Sequence, residues 1–292
     1  MPDKAQHAVI IPHFNDTVRL GRCLSALVAS DLAATEVVVV DNGSSEPLEP
    51  LRAAFPQVRF VVETRKGAAH ARNRGVAETT APWLIFLDCD CVPAADWLER
   101  ARRACGRADL VGGAITVFDE TPPPRTGAQA FETVFAFNYR EYIEKKHFSV
   151  TANLITSRAV FEAVGPFEPG LSEDAEWCLR ARARGYGIAL DPAVRVAHPT
   201  RADWPALERK WRRITREMFA LHRRDHPGAA GRLRWALRAL AVAASGLAHL
   251  PRLVASPALS GAGERWRGAL TLLRLRWTRC LWMLRQAAGL TI

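Results

Sequence analysis

Residues 83–90 read WLIFLDCD, an apolar run that leads directly into two aspartates separated by one position. The run is short and continuous, which predicts a buried strand that ends at Leu87. Side chains of an extended chain repeat every two residues, so Asp88 and Asp90 fall on one side of the backbone. Such a pair indicates a site for a divalent cation shared with substrate phosphates, although it also fits two solvated acids in a turn.

Short runs rich in Val and Ile precede this strand and alternate with amphipathic stretches. Residues 8–11, 36–40 and 59–62 predict strands, and residues 17–29 and 68–78 predict helices. This alternation is typical of βαβ units around a largely parallel sheet. We therefore expect an α/β fold with a nucleotide-binding sheet flanked by helices.

The chain continues with a predicted strand at 110–117, a Pro-rich break at 121–125 and a predicted helix at 129–145. From residue 203 the composition shifts to Arg, Trp, Leu and Ala at helical spacing, with breaks expected at 227–228, at Pro251 and at 256–263.

This shift predicts two regions, an α/β domain over residues 1–200 and a basic helical extension over residues 201–292.

The net charge of +10 belongs to the extension, where residues 201–292 hold 18 Arg and Lys against 5 Asp and Glu. Segments 209–213, 232–235 and 273–277 mix these cations with Trp and Leu, as basic helices on anionic lipid do. We expect contact with an anionic membrane surface. A helical cap with a solvated basic face and a subunit interface remain alternatives.

Cysteine usage and hydropathy bear on the compartment. The six cysteines are scattered, which predicts a reducing environment, and Cys89 and Cys91 lack the second pair that a zinc site needs. Residues 1–12 do not resemble a secretory signal, and the apolar stretch 239–248 is too short to span a bilayer. We expect a cytoplasmic protein, peripheral at the inner face of the membrane.

Two further segments resemble parts of a nucleotide site. Residues 36–45, EVVVVDNGSS, predict a strand that ends at Asp41, whose carboxylate could accept hydrogen bonds from a base or ribose. Turn chemistry or a helix cap is the alternative. Residues 65–75, RKGAAHARNRG, place a glycine at a helix start, and Arg72 follows at a position suited to a phosphate. A solvated basic helix face explains the same residues.

These motifs together resemble those of the family 2 glycosyltransferases of the GT-A fold. The resemblance rests on residues 9–15 (VIIPHFN), 40–44 (VDNGS), 67–75 and 86–90 (FLDCD), in that order, and it covers residues 8 to about 198. It implies that Asp41 binds the donor base and Asp88 the ribose, and that Asp90 reaches the diphosphate through Mn²⁺ or Mg²⁺. The donor-binding residues it implies are Pro12, Asn15, Asp41, Arg72, Asp88 and Asp90.

The resemblance implies that residues 1–200 form a catalytic domain, with a donor half at about 1–110 and an acceptor half at about 111–200. It extends to the acceptor side. Residues 151–154 (TANL) look like the acceptor strand of the family, and residues 171–177 (LSEDAEW) look like its Glu-Asp motif at a helix start. This match makes Asp174 the general base and Glu173 its support, and it places Asn153 and Trp177 near the acceptor. Acidic decoration of a helix N-terminus is the alternative for the two carboxylates.

His198 ends the strand-like run 194–198, at about the point where some relatives place a metal-binding histidine. We therefore expect Asp90 and His198 as metal ligands, with a surface histidine as the alternative for His198.

The expected function is inverting transfer of a sugar from a nucleoside-diphosphate donor, with a UDP-sugar as the leading donor, to an acceptor hydroxyl. A lipid-linked glycan of bacterial polysaccharide or glycolipid synthesis is the candidate acceptor. A metal-dependent nucleotidyltransferase and a non-enzymatic nucleic-acid-binding protein are the alternatives, but we expect no nucleic-acid partner because no such module is recognisable. A dehydrogenase is disfavoured because residues 9–15 lack a Gly-x-Gly-x-x-Gly motif.

Overall fold

The computed structural model describes residues 5–292 of the chain and contains an eight-stranded mixed sheet. Its strands are β1 (His7–His13), β2 (Thr35–Asp41), β3 (Arg59–Val62), β4 (Trp83–Leu87), β5 (Val92–Pro93), β6 (Leu110–Phe118), β7 (Asn153–Ser157) and β8 (Ile188–Pro199).

The strand order is β3-β2-β1-β4-β7-β6-β8-β5. The four strands from β3 to β4 pair in parallel, so that β1, β2 and β4 all end at the same edge of the sheet. β7 pairs antiparallel with both β4 and β6, and β5 pairs antiparallel with β8. The expected α/β class is confirmed, with a parallel nucleotide-binding half and a mixed second half.

The central strands are buried on both faces, which explains their continuous apolar sequences. In β4, Ile85 and Leu87 pack into one hydrophobic layer, and Leu84 and Phe86 pack into a second one. Strand β1 divides its side chains between the same two layers. Because neither face of these central strands is left to water, the polar residues that follow them are confined to their ends.

The helices cover both faces of the sheet and form most of the C-terminal region. Gly75 lets one of them lie directly on β1, because a Cβ at this position would lie 2.4 Å from Cγ2 of Ile10. The helices are α1 (Thr17–Val28), α2 (Glu49–Ala54), α3 (Ala68–Ala77), which carries Gly75, α4 (Trp97–Ala104), α5 (Gly127–Phe135), α6 (Arg158–Val164), α7 (Glu173–Ala183), α8 (Trp204–Asp225), α9 (Gly228–Val254) and α10 (Gly261–Ala287).

The chain divides into two compact units. The first contains the residues up to Thr116, Phe137–Pro169 and Glu173–His198, and the second contains Val117–Ala136, Gly170–Ser172 and Pro199–Ile292. The structure thus differs from the boundary expected near residue 200, because α5 belongs with the C-terminal helices. Composition did not reveal this, since α5 is apolar whereas the helices it joins are basic.

The second unit is held together by an apolar core and by close packing between its helices. Phe131 of α5 packs in one cluster with Leu207, Leu253 and Leu272. Gly127 allows the start of α5 to lie against α10, since a Cβ there would lie 2.8 Å from the carbonyl oxygen of Arg267.

Two predicted helix boundaries are wrong. The helix expected over 129–145 ends at Phe135, because Ala136 is extended and Phe137 has a φ of 50°, and residues Glu141–Lys145 form a separate π-helical turn. Conversely, α9 continues through Pro251 to Val254. Pro251 is exposed and lies in the last turn of α9, where its missing N–H removes one hydrogen bond without ending the helix. Within residues 5–292, no helix has the length and apolar composition to cross a membrane.

Candidate active site

Polar side chains gather where β1, β2 and β4 end. His13 pairs with Asp41 in the register of the parallel strands, and the chain after β4 continues into Asp88. The carboxyl ends of parallel strands form a crevice that commonly binds ligands in α/β folds. This edge of the sheet brings together most of the donor-side residues expected from the sequence.

Asp41 is largely buried at the end of β2 and is held by two neighbours. Its carboxylate lies 3.2 Å from Nδ1 of His13 and accepts a hydrogen bond from the backbone N–H of Ser44 at 3.2 Å. His13 was not anticipated, although its position at the end of β1, opposite Asp41, is the signal that could have identified it. The pair fixes the direction of the Asp41 carboxylate.

Of the two donor-binding residues expected from the first motif, one lies in a strand and the other in a loop. Pro12 is buried within β1. Asn15 has a φ of 46°, and its Oδ1 accepts a hydrogen bond from the backbone N–H of Ser45 at 2.8 Å. Asn15 therefore links the loop after β1 to the loop after β2. Its side-chain oxygen is hydrogen-bonded to the backbone of the protein itself.

Asn42 performs a similar task that the sequence did not reveal. Its Oδ1 accepts a hydrogen bond from the backbone N–H of Gly67 at 2.6 Å, and its Nδ2 donates to the carbonyl oxygens of Glu63 and Arg65 at 2.9 and 2.8 Å. These bonds fix the segment that leads into α3. An amide at this position supplies both an acceptor and donors, which an ionised aspartate could not do.

Arg72 is buried and joins the end of β4 to the start of α7. Its guanidinium lies 2.6 Å from Asp88 and 2.9 Å from Glu173. Burial alone would lower the pKa of Arg72, but the charges of Asp88 and Glu173 outweigh it and raise the pKa. Arg72 therefore stays charged and holds two carboxylates in place, while its buried Nε has no partner.

Asp174 follows Glu173 at the start of α7 and is partly buried. Burial, reinforced by the charge of Glu173, raises the pKa of Asp174 to about 6. The backbone N–H of Ala175, 2.8 Å from Oδ1, opposes this shift without cancelling it. A carboxylate with this pKa is a stronger base than an ordinary aspartate and is still ionised at neutral pH.

The two expected metal ligands lie next to each other, with Oδ2 of Asp90 at 3.1 Å from Nε2 of His198. The ring of Phe137 packs against His198 at 4.7 Å and fixes its orientation. Within residues 5–292, no cluster of three or more His, Cys, Asp or Glu side chains could hold a metal alone. One carboxylate and one imidazole therefore fit a cation whose remaining ligands come from a substrate, as is usual for metals bound with phosphates.

The two residues expected at the acceptor do not fit that prediction. Asn153 is fully buried; its side chain accepts from Nε1 of Trp97 at 3.0 Å and donates to the carbonyl oxygens of Ala114 and Val194 at 3.0 and 2.9 Å. Trp177 is also fully buried and donates to the carbonyl oxygen of Gly165 at 2.8 Å. Both side chains are part of the core, and neither presents a group to an acceptor.

Known proteins with similar sequences and folds indicate the family to which this chain belongs. The model of the family described as glycosyl transferase family 2 matches residues 8–165, more than half of the chain. The chain is 31% identical over 216 residues to the glycosyltransferase AglE of Haloferax volcanii, and this match covers 70% of each protein.

A second relative is the pre-mycofactocin glycosyltransferase of Mycobacterium tuberculosis, 28% identical over 219 residues. That match covers 70% of this chain but only 46% of the mycobacterial protein, so the chain spans less than half of that relative's length.

Among solved structures, the mannosyltransferase PcManGT from Pyrobaculum calidifontis, in complex with GDP-Man and Mn²⁺, is similar in fold. The TM-score is 0.55 at 19% identity, and the match covers 99% of this chain and 75% of that one. The family model and the Haloferax relative agree with the family that the sequence resembles, and PcManGT agrees with it in fold. The chain therefore belongs to glycosyl transferase family 2 and is a glycosyltransferase of the GT-A fold.

Proposed function

We propose that the chain transfers a sugar, with inversion at the anomeric carbon, from a nucleoside-diphosphate sugar to an acceptor hydroxyl. The observation that carries this proposal is the chain of ion pairs from Asp88 through Arg72 to Glu173, which ends beside Asp174. It connects a donor-side strand end to a carboxylate whose raised pKa suits a general base.

On the donor side, Asp41 would hydrogen-bond the base and Asp88 the ribose. The ordered partners of both carboxylates support these roles, because a preformed site loses less freedom on binding. A UDP-sugar is the leading donor by resemblance to the family, and a GDP-sugar is the next candidate because PcManGT was solved with GDP-Man.

The chemical step requires one proton transfer and one displacement. The acceptor oxygen forms a bond to the anomeric carbon while the bond from that carbon to the diphosphate oxygen breaks, and its electron pair leaves with the diphosphate. Asp174 takes the acceptor proton. A single base and no second carboxylate acting as nucleophile give inversion, and Glu173 acts as a positioning residue through Arg72.

A divalent cation held by Asp90 and His198 would neutralise charge on the departing diphosphate. The neighbouring carboxylate and imidazole fit Mn²⁺ or Mg²⁺ as that cation, and the imidazole favours Mn²⁺. The presence of Mn²⁺ in the PcManGT complex supports this choice.

We also propose a glycan on a lipid carrier as the acceptor, and a location at the inner face of the cytoplasmic membrane. The excess of 18 basic over 5 acidic residues in positions 201–292 supports this location, because anionic lipids attract such regions.

The test is a transfer assay with a panel of UDP-, GDP- and dTDP-sugars, Mn²⁺ and a lipid extract, followed by determination of the anomeric configuration of the product. We expect one donor to be used with inversion, and Asp174→Asn to reduce kcat by about 10²–10⁴-fold. Glu162→Gln, an exposed substitution on α6, is the matched control and should keep wild-type kcat. A retained configuration, or a D174N variant with wild-type kcat, would refute the mechanism.

A further inference from the structure

Helix α9 is apolar on the face that it exposes as well as on the face that it buries. Its buried side includes Trp235, Ala239 and Leu253, which pack inside the second unit. On the opposite side, five large apolar side chains are 52–67% exposed. They are Leu233, Leu237, Leu240, Leu247 and Val254.

These residues form a continuous stripe. Their spacing, together with exposed Ala244 and Pro251, alternates between four and three residues, which keeps them on one side of a helix. The stripe from Leu233 to Val254 is about 33 Å long and contains no polar side chain. An amphipathic helix of a water-soluble domain would carry charged residues on this side.

Helix α10, which packs along α9, carries a second apolar stripe. Four of its side chains are 46–67% exposed and follow the same helical spacing: Trp266, Leu270, Trp277 and Leu281. Soluble monomers rarely expose contiguous apolar surfaces of more than a few hundred Å². We therefore expect the nine large exposed side chains on these two adjacent helices to be covered by a partner or a membrane.

The charges beside the stripes indicate what the occupant is. The exposed cations are Arg232, Arg234, Arg238 and Arg252 on α9 and Arg274 and Arg285 on α10. Helix α9 contains no acidic residue, and the single acid of α10, Glu264, is buried and paired with Arg125. On α9 and α10 themselves, exposed charge is thus exclusively positive.

A second copy of this chain would place one set of arginines against another. An anionic lipid surface instead offers phosphates to the arginines and acyl chains to the leucines and tryptophans. Neither helix can cross a bilayer, so they would lie in its plane.

We infer that α9 and α10 lie in the interface of an anionic bilayer with their leucine and tryptophan stripes inserted below the headgroups. Of the three basic segments recognised in the sequence, 232–235 and 273–277 lie on these two helices, whereas 209–213 lies on α8. In the α8 segment, Trp211 has a buried indole N–H and Arg212 stacks on Trp282, so these two side chains face the protein. This inference rests on the proposed function in one respect: membrane binding would bring the chain to a lipid-linked acceptor.

The test is flotation of the full chain with vesicles of phosphatidylcholine alone or with 30% phosphatidylglycerol, at physiological salt. We expect binding to the anionic vesicles, and at least about tenfold weaker binding for the double variant Leu240→Glu with Leu247→Glu. Val18→Glu, which changes a 76% exposed valine on α1, is the matched control and should float like the wild type. All variants should keep the wild-type Tm because they alter exposed positions.

Vesicles containing brominated lipid measure how deeply the tryptophan side chains insert. Quenching of tryptophan fluorescence should decrease when Trp266 and Trp277 are both replaced by leucine. Failure of the wild type to float, flotation of the double glutamate variant at the wild-type level, or a dimer that this variant dissociates would overturn the inference. D174N should float like the wild type although its kcat is reduced. The double glutamate variant should still bind donor. Flotation and donor binding therefore test the two proposals separately.

Discussion

Asp174 combines partial burial with a neighbouring negative charge, and both affect stability as well as catalysis. Its pKa of about 6 in the folded chain exceeds the value of about 3.9 expected in the unfolded chain. The folded state therefore binds a proton more tightly, so the free energy of unfolding falls as pH rises from about 4 to 6 and stays level above.

Asp174→Asn should remove the cost of keeping an ionised carboxylate partly buried. It should therefore raise the free energy of unfolding at pH 7.5 by up to about 3 kcal/mol. The gain should shrink as pH falls to 5, and wild-type kcat/KM should fall below about pH 6 as the base is protonated. Urea unfolding of both proteins at the two pH values measures the effect. A variant no more stable than the wild type at pH 7.5 would contradict the proposed desolvation.

Asn153→Ala should destabilise the chain by about 2–4 kcal/mol, because the indole N–H of Trp97 and two carbonyl oxygens lose their buried partner. Its KM for acceptor should stay within about twofold, since a core residue makes no direct contact. Denaturant unfolding and acceptor kinetics give the two numbers. Unchanged stability with a large rise in KM would restore the acceptor-binding prediction.

The sequence identified the residue types of the site better than their partners. The position of Asp88 and Asp90 after the end of β4 was predictable because they directly follow a buried strand. The contacts of Asn153 could not be predicted, because Val194 lies 41 residues away in sequence and is brought near only by the sheet. His13 was missed because its pairing with Asp41 depends on strand register.

At the scale of elements, prediction succeeded where periodicity was strong. β3 (Arg59–Val62) and β4 (Trp83–Leu87) have the expected bounds, and α1 and α3 each end one residue earlier than expected. The break after Phe135 was missed because it depends on the backbone conformation of Phe137 and not on a proline or glycine.

Gly75→Ala tests the close contact between α3 and β1. A Cβ at this position would lie 2.4 Å from Cγ2 of Ile10 and 3.2 Å from Cγ2 of Val40, both within the core. We expect a loss of about 1–3 kcal/mol in the free energy of unfolding, measured by urea titration. Gly187→Ala has only a contact at 3.8 Å and should change stability little. Equal stability of both variants would show that α3 does not need this glycine.

At the scale of the whole molecule, the sequence correctly separated an α/β region from a basic helical one but divided them in the wrong place. Residues 117–136 belong with the C-terminal helices because Phe131 packs against Leu207, Leu253 and Leu272. Composition reports local chemistry, whereas this packing joins segments that are far apart in sequence.

A chain that ends at residue 200 should consequently expose the apolar face of α5, including Phe131. We expect it to bind a hydrophobic dye and to aggregate, in contrast to the full chain. A soluble, dye-negative truncation with a cooperative thermal transition would show that residues 1–200 fold independently, as the sequence alone suggested.

The most direct test of the proposed donor site is a thermal-shift titration with UDP-, GDP- and dTDP-sugars, with and without Mn²⁺, on the wild type and on Asp90→Asn. We expect one nucleotide sugar to raise Tm by several degrees at about 100 times its Kd, only with Mn²⁺ and only in the wild type. Glu99→Gln, an exposed substitution on α4, should respond like the wild type. No shift with any donor, or an equal shift in Asp90→Asn, would contradict a metal-assisted donor site at the end of β4.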